Sequence, residues 1–183
     1  MHVILYKGLN MLINLSDVFN TVGKILETEI PVSGYSFEGS LGSYRLLKGD
    51  AFRIKAEGIG KGRAKVSGTA HLCFAGTCDR CLKEAPVEIS ISFEREFASP
   101  DFKSDDEDEN EEIHEFMDGF KLDSDALLYD EITVNWPVKI LCREDCRGLC
   151  PVCGHDLNEG DCGCDTFVPD PRMAVLSDIF HKD

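Results

Sequence analysis

Six cysteines crowd the 25 residues from Leu141 to Asp165 (LCREDCRGLCPVCGHDLNEGDCGCD): Cys142, Cys146, Cys150, Cys153, Cys162 and Cys164. No other feature restricts the fold so tightly. In Cys150-Pro-Val-Cys153-Gly, a C-x-x-C pair followed by glycine makes a turn in which both thiolates face one cation, and Gly154 tolerates the positive φ such a turn needs. Cys162-Gly-Cys164 follows closely enough to return a second pair to the same ion, with Cys142 and Cys146 upstream. Four thiolates suit a closed tetrahedral Zn²⁺ site, whereas hard metals that prefer oxygen would not choose sulfur. The alternative, a set of buried free cysteines, fits poorly with thiols gathered around Gly and Pro turns.

The thiols outnumber one site. Cys78-Asp-Arg-Cys81 is a second C-x-x-C, and with Cys73 set aside the remaining eight cysteines would fill two Cys₄ sites. For Cys78 and Cys81, three readings stand side by side: a second metal site, unpaired structural thiols, or a redox pair. The βαβ context of a thioredoxin-like motif is missing. The expectation is one Zn²⁺ within 142–164, with Cys78 and Cys81 as a candidate second site.

Nine cysteines raise the question of compartment. The N-terminal stretch MHVILYKGLNMLINLSDVF has its apolar residues broken by Lys7, Asn10, Asn14 and Asp17, and lacks the organisation of a secretory signal. Met11 is also a plausible initiation residue. No stretch approaches the ~20 apolar residues of a membrane span. The expected location is a reducing cytoplasm, where metal ligation is favoured over disulfides.

The net charge of −15 is unevenly spread: fourteen acids against Lys103 and Lys121 lie between Asp101 and Glu131. Asp105 to Glu112, DDEDENEE, repels itself and has nothing to bury. It is expected to be a solvated linker, or else an arm for a basic protein partner. At 43% hydrophobic residues, the rest of the 183-residue chain can still build a core.

Period-two patterning marks three strands. Phe52, Ile54 and Ala56 alternate with Arg53, Lys55 and Glu57; Ala64, Val66, Ala70, Leu72 and Phe74 share one face of Arg63–Thr77; and Val87, Ile89, Ile91 and Phe93 alternate with polar residues. With Gly58, Gly60 and Gly62 at the first turn, this predicts antiparallel strands packed on one side. Glu84-Ala-Pro86 is expected to break the chain before the last strand, and residues 24–32 to form a strand ending at Pro31. A helical turn is expected after Asn14 with Ser16 as its N-cap. A helix is expected over 122–136, capped by Ser124 and stopped by Pro137, and a last helix from Asp170.

The hairpin carries Arg53 and Lys55 outward on one strand, Arg63 and Lys65 outward on the next, and Lys61 at the turn. Like charges across a strand pair are mildly destabilising. In so acidic a protein these five cations form the candidate RNA-binding face, set against a merely soluble sheet surface. No nucleophile elbow, zincin motif or phosphate-binding loop is present in the sequence. His155, near the thiols, is expected to be an exposed turn residue rather than a ligand. A metal saturated by four thiolates leaves no position for water, which argues against hydrolysis.

The order of Cys-Asp-Arg-Cys-Leu (78–82), an acidic stretch, CRGLCPVCGHDLNEG (146–160), Cys-Gly-Cys and Asp-Pro-Arg-Met-Ala-Val-Leu (170–176) resembles the bacterial YceD family. These proteins are also described as large-ribosomal-RNA-subunit accumulation proteins. The resemblance runs from about Met11 to Phe180. It implies a role in accumulation of 23S ribosomal RNA and in ribosome assembly, and no catalytic residues. Some members lack the C-terminal cysteines, so the resemblance implies that metal here is a structural staple.

The expected architecture is α+β: an antiparallel, mainly β domain over 1–100, an acidic linker over 101–121, then a helix, a Cys-rich zinc knuckle and a C-terminal helix over 122–183. The expected function is a non-enzymatic ribosome-biogenesis factor whose partner is large-subunit rRNA or a pre-ribosomal particle. The alternatives are an acidic adaptor for a basic ribosomal protein and a thiol redox protein.

Overall fold

The computed structural model describes residues 11–39, 42–103 and 112–165. Within these the chain divides into two compact units: the residues up to Gly76 together with Pro86–Val138, and Thr77–Ala85 together with the residues from Lys139 onward. This division differs from the expected domain limits. The helix after the acidic stretch belongs with the β strands, and the Cys78–Cys81 turn belongs with the C-terminal cysteines.

The first unit is mostly antiparallel sheet. Its elements are β1 (Leu12–Asn14), α1 (Ser16–Asn20), β2 (Ile25–Ile30), β3 (Ser36–Gly39), β4 (Gly42–Gly49), β5 (Phe52–Gly60), most of β6 (Arg63–Thr77) and β7 (Glu84–Ala98), β8 (Met117–Asp118), β9 (Lys121–Asp123) and α2 (Ser124–Val134). The main sheet runs β2-β5-β6-β4-β3, with β7 also pairing to β6, and a small sheet runs β1-β9-β8. The long strand β6 holds β5 along Arg63–Thr69 and β4 along Leu72–Phe74. At the β5–β6 turn, Lys61 (φ 57°) and Gly62 (φ 74°) both occupy the positive-φ region that a two-residue type I′ loop requires.

The alternation expected of β5, β6 and β7 is observed. Phe52, Ile54, Ala56, Ala64, Val66, Ala70, Leu72, Phe74, Val87, Ile89 and Ile91 are all buried. Glu84-Ala-Pro86 does not break the chain but begins β7, because Ala85 is already buried and Pro86 takes an exposed position in extended backbone. Farther along β7, Arg95 is only half-exposed and meets α2, where it pairs with Asp130 Oδ2 (2.8 Å) and the buried Glu131 Oε1 (2.8 Å). Burial pushes the Glu131 carboxyl up, and the Arg95 guanidinium pulls against that shift. Leu127, Leu128 and Ile132 complete the buried face of α2.

Both helix starts differ from expectation. The cap of α2 is Asp123, whose Oδ1 accepts from the backbone N–H of Asp125 and Ala126, while the Ser124 hydroxyl donates to the Met11 carbonyl. Before α1, Asn14 Oδ1 accepts from Ser16 N and Oγ, and Ser16 is the first helical residue. At α2 an aspartate that reaches forward over the first turn does the work assigned to serine, whereas α1 has Leu15 at its N-cap and no side-chain cap. Of the expected acidic linker, residues 117–118 and 121 lie in strands, and 104–111 lie outside the described residues, as does the helix expected from Asp170. Among the described residues, no helix is long and apolar enough to cross a membrane.

Gly58 is closely packed against α1 and the turn that follows it. A Cβ there would fall 2.3 Å from the carbonyl oxygens of Val18 and Thr21, while the Gly58 backbone bonds both Gly23 and Lys24. Gly58→Ala is therefore expected to lower the unfolding free energy by ~1–3 kcal/mol, the range of overpacked cores. Denaturant unfolding followed by the fluorescence of Trp136, the single tryptophan, checks this; an unshifted midpoint would contradict the packing described.

Candidate metal centres

The eight cysteines outside the first unit's core form two clusters. Cys78, Cys81, Cys142 and Cys146 make one, and Cys150, Cys153, Cys162 and Cys164 the other; within each, the sulfurs all lie within 4.8 Å of one another. In the first cluster, Cys78 Sγ lies 3.8 Å from Cys146 Sγ, and Cys81 Sγ lies 3.6 Å from Cys142 Sγ. A regular tetrahedron of thiolates around an ion at ~2.3 Å has sulfur–sulfur edges of about 3.8 Å. Both the donor set and its spacing therefore fit a soft divalent metal. None of the nine cysteines forms a disulfide, and Cys73 is buried in β6.

Each cluster rests on the same backbone device. After Cys150 and Cys153, Gly154 takes φ 74° and its N–H donates to the Cys150 carbonyl (2.9 Å). After Cys78 and Cys81, Leu82 takes φ 60° and its N–H donates to the Cys78 carbonyl (2.9 Å). The two C-x-x-C turns are thus alike, although one places leucine where glycine costs less. The sequence signal for the first turn was blurred by that leucine. That turn is also tied to one distant residue by two bonds: Asp79 N donates to the Ile140 carbonyl (2.9 Å), and Ile140 N donates to Asp79 Oδ2 (2.7 Å). Against the expectation of one site within 142–164 with Cys78 and Cys81 as a candidate second, the structure gathers Cys142 and Cys146 with Cys78 and Cys81, and the last four cysteines into a set of their own. His155 joins neither; it is exposed, and its carbonyl accepts from Cys150 N (2.8 Å).

The thiols do not ionise alike. Burial opposes ionisation of Cys78, yet the backbone N–H groups of Cys142, Cys81 and Arg80 hold it down to about 6. Backbone N–H groups of Cys153 and Val152 hold Cys150 down to about 6, against its burial. Cys142, sharing its proton with Cys81 and partly desolvated, is pushed up to about 12, and Cys164 beside Cys153 and Cys162 likewise to about 12. Four like charges cannot gather at one point unaided; a cation relieves that repulsion.

Little else holds this unit together. Its buried described residues are Cys78, Cys81, Ala85, Ile140, Cys146, Gly148 and Cys150, so sulfur supplies most of the side chains of the interior. Polar contacts add to it: Lys83 Nζ meets Asp156 Oδ2 (2.6 Å) and Glu159 Oε1 (3.2 Å), and Arg80 donates to the Cys146 carbonyl.

The five cations of the hairpin face are placed differently from the cysteines. Arg53 pairs with Glu29 on β2 (2.8 Å), Lys55 with Glu57 (3.9 Å), Arg63 with Glu96 (3.3 Å) and Lys65 with Glu94 (2.7 Å), while Lys61 sits in the turn. Register explains why the face is not repulsive. Lys65 stands opposite Glu57, and Arg53 and Lys55 stand opposite Thr69 and Ser67. The expected like-charge pairs across the hairpin do not form.

A family model described as "Large ribosomal RNA subunit accumulation protein YceD" matches residues 66–180, which include every cysteine of both clusters. The chain belongs to the YceD family. Curated relatives of this YceD-family chain include uncharacterized proteins of Mycobacterium bovis and Mycobacterium tuberculosis, each 30% identical over 71% of this chain and 61% of the relative. An uncharacterized protein of Mycobacterium leprae is 28% identical over 64% of the chain and 54% of its own length. The chain thus spans about three-fifths of the length of the curated relatives it matches first. No solved structure matches it.

The ion pair at Asp156 has a measurable signature. Lys83, donating to the carboxylate, and the N–H of Asn158 hold Asp156 down to about 2. A depressed carboxyl contributes stability that is complete above the ordinary carboxylate range, ~3.9, and is lost as pH falls through the folded value. The Asp156 carboxyl resonance is expected to titrate near pH 2 in the native chain and closer to 4 in Lys83→Met. An unchanged midpoint in that variant would mean that Lys83 is not the cause.

Proposed function

We propose that this protein is a non-enzymatic, cytoplasmic ribosome-biogenesis factor that supports accumulation and assembly of large-subunit (23S) ribosomal RNA, and that two structural Zn²⁺ ions hold its C-terminal unit. The observation that carries this reading is the completeness of each donor set. Four thiolates saturate a tetrahedral ion, leaving no position for a substrate or an activated water, so the metal serves structure. The family match supplies the connection to ribosomal RNA. A redox role for Cys78 and Cys81 fits less well, because each faces a further cysteine of the same cluster at 3.8 Å or less.

A second reading concerns the direct partner, and the hairpin face favours it. For Arg53, Lys55, Arg63 and Lys65 to bind phosphate, four carboxylates would have to give way or lie beside the RNA backbone. The acidic stretch between Asp101 and Glu131 carries the larger unbalanced charge. Within ribosome biogenesis, that stretch suits a basic ribosomal protein, held by complementary charge and handed to the growing particle. RNA contact through Arg53, Lys55, Lys61, Arg63 and Lys65 is the competing proposal.

Protein purified under reducing conditions is expected to hold two zinc ions per chain by elemental analysis. Cys78→Ser and Cys150→Ser should each retain about one, with Trp136 fluorescence unchanged; metal-free native protein would refute the zinc reading. For the partner, deleting 101–119 should abolish capture of a basic large-subunit ribosomal protein. Changing the five hairpin cations to Gln should leave binding to a large-subunit rRNA fragment nearly unaltered. Loss of RNA binding in the Gln variant, with capture intact in the deletion, would return the role to the hairpin.

A further inference from the structure

Asn158 lies in the loop between the two cysteine pairs of the second cluster, yet its side chain serves the first. Its Nδ2 donates to Cys146 Sγ (3.5 Å) and to Asp156 Oδ1 (2.6 Å). Its Oδ1 accepts from Arg147 N (2.8 Å) and Arg143 Nη2 (2.7 Å), on either side of Cys146. Asp156, from the same loop, reaches Lys83, two residues beyond Cys81. Leu157 N donates to the Gly148 carbonyl (2.9 Å), and Leu149 bridges to Asp156. The loop is therefore bound at both ends to ligands of the second cluster, Cys153 and Cys162, and bound at its middle to the first.

Four thiolates around a divalent ion leave excess negative charge, which an N–H donor aimed at sulfur disperses. Such outer contacts orient the ligand and raise affinity. Resting on the metal reading above, we propose that Asn158 couples the two centres. Metal in the Cys150, Cys153, Cys162 and Cys164 cluster fixes the loop that delivers this donor to Cys146, so the Cys78, Cys81, Cys142 and Cys146 cluster binds metal more tightly when its neighbour is full. By linkage the coupling is mutual, and filling the first cluster tightens the second by the same factor. Arg143 and Arg147, drawn to the amide oxygen, hold the amide with its nitrogen toward the sulfur.

The test is a thermodynamic cycle on the full chain, with Co²⁺ as the probe. Apo-protein under reducing conditions is titrated against a competing chelator, and tetrahedral Co²⁺–thiolate absorption reports the binding. Disabling the second cluster with Cys153→Ser and Cys164→Ser is expected to weaken Co²⁺ binding at the first by ~10–100-fold, the usual scale for lost outer contacts. In an Asn158→Ala background, which is itself weakened at the first cluster, the same disabling should add little. Asn158→Asp keeps the acceptor for Arg147 N but loses the N–H, and should behave like Ala. Two results would overturn the coupling: fully additive effects of the Asn158→Ala and Cys→Ser changes, or native affinity in Asn158→Asp. Absence of any Co²⁺–thiolate absorption, in native chain and variants alike, would instead remove the metal reading on which the coupling stands.

Discussion

The second unit depends on sulfur standing where hydrocarbon would otherwise be. Its described interior contains four cysteines, with only Ala85, Ile140 and Gly148 beside them. A unit so small cannot bury enough apolar surface to offset the entropy of ordering its chain, and small folds of this kind are held by staples. The first cluster is the more demanding of the two to assemble, since Cys81 and Cys142 are 61 residues apart. Its geometry requires that the turn after β6 and the segment after Val138 arrive in one place. The second cluster closes over only fifteen residues, Cys150 to Cys164, and organises a local loop. Together they turn a polar, glycine-punctuated stretch into a shaped object.

The first unit solves a different problem, that of a highly charged chain with one buried sheet face. Cations and carboxylates are interleaved across β2, β5, β6 and β7, so the outward face is laced with weak exposed ion pairs rather than polarised. One charge pair lies deeper. Arg95, which follows the inward positions of β7, meets Glu131 at 4% exposure and gives α2 a polar anchor beside its Leu127, Leu128 and Ile132 contacts. Such a pair fixes how a helix lies more than how strongly it binds.

Much of the sheet was legible in the sequence because period-two burial is a local signal. Phe52, Ile54 and Ala56 announce their face without knowledge of any partner. Arg95 was illegible for the converse reason: it occupies an inward position, and only α2, some 30 residues later, explains its charge. The same distinction divides the clustered cysteines. Cys150, Cys153, Cys162 and Cys164 are neighbours in sequence and could be recognised as ligands. Their separation from Cys142 and Cys146 could not, because it depends on where Cys78 and Cys81 are carried by the β6–β7 hairpin. Leu82 hid the likeness of the two turns, since composition there shows no glycine although the backbone takes the conformation glycine favours. The charge of the hairpin face misled for want of register, which sets Lys65 against Glu57 rather than against another cation.

The distance between the halves of the first cluster also sets a schedule for biosynthesis. At ~5–20 residues per second of chain growth, Cys142 leaves the ribosome on the order of 3–12 s after Cys81, 61 residues earlier. During that interval β6 and β7 can already pair, and their turn presents two thiols with half a coordination sphere. The turn then carries two thiolates without the other half of their set. The set is complete only when the C-terminal cysteines emerge.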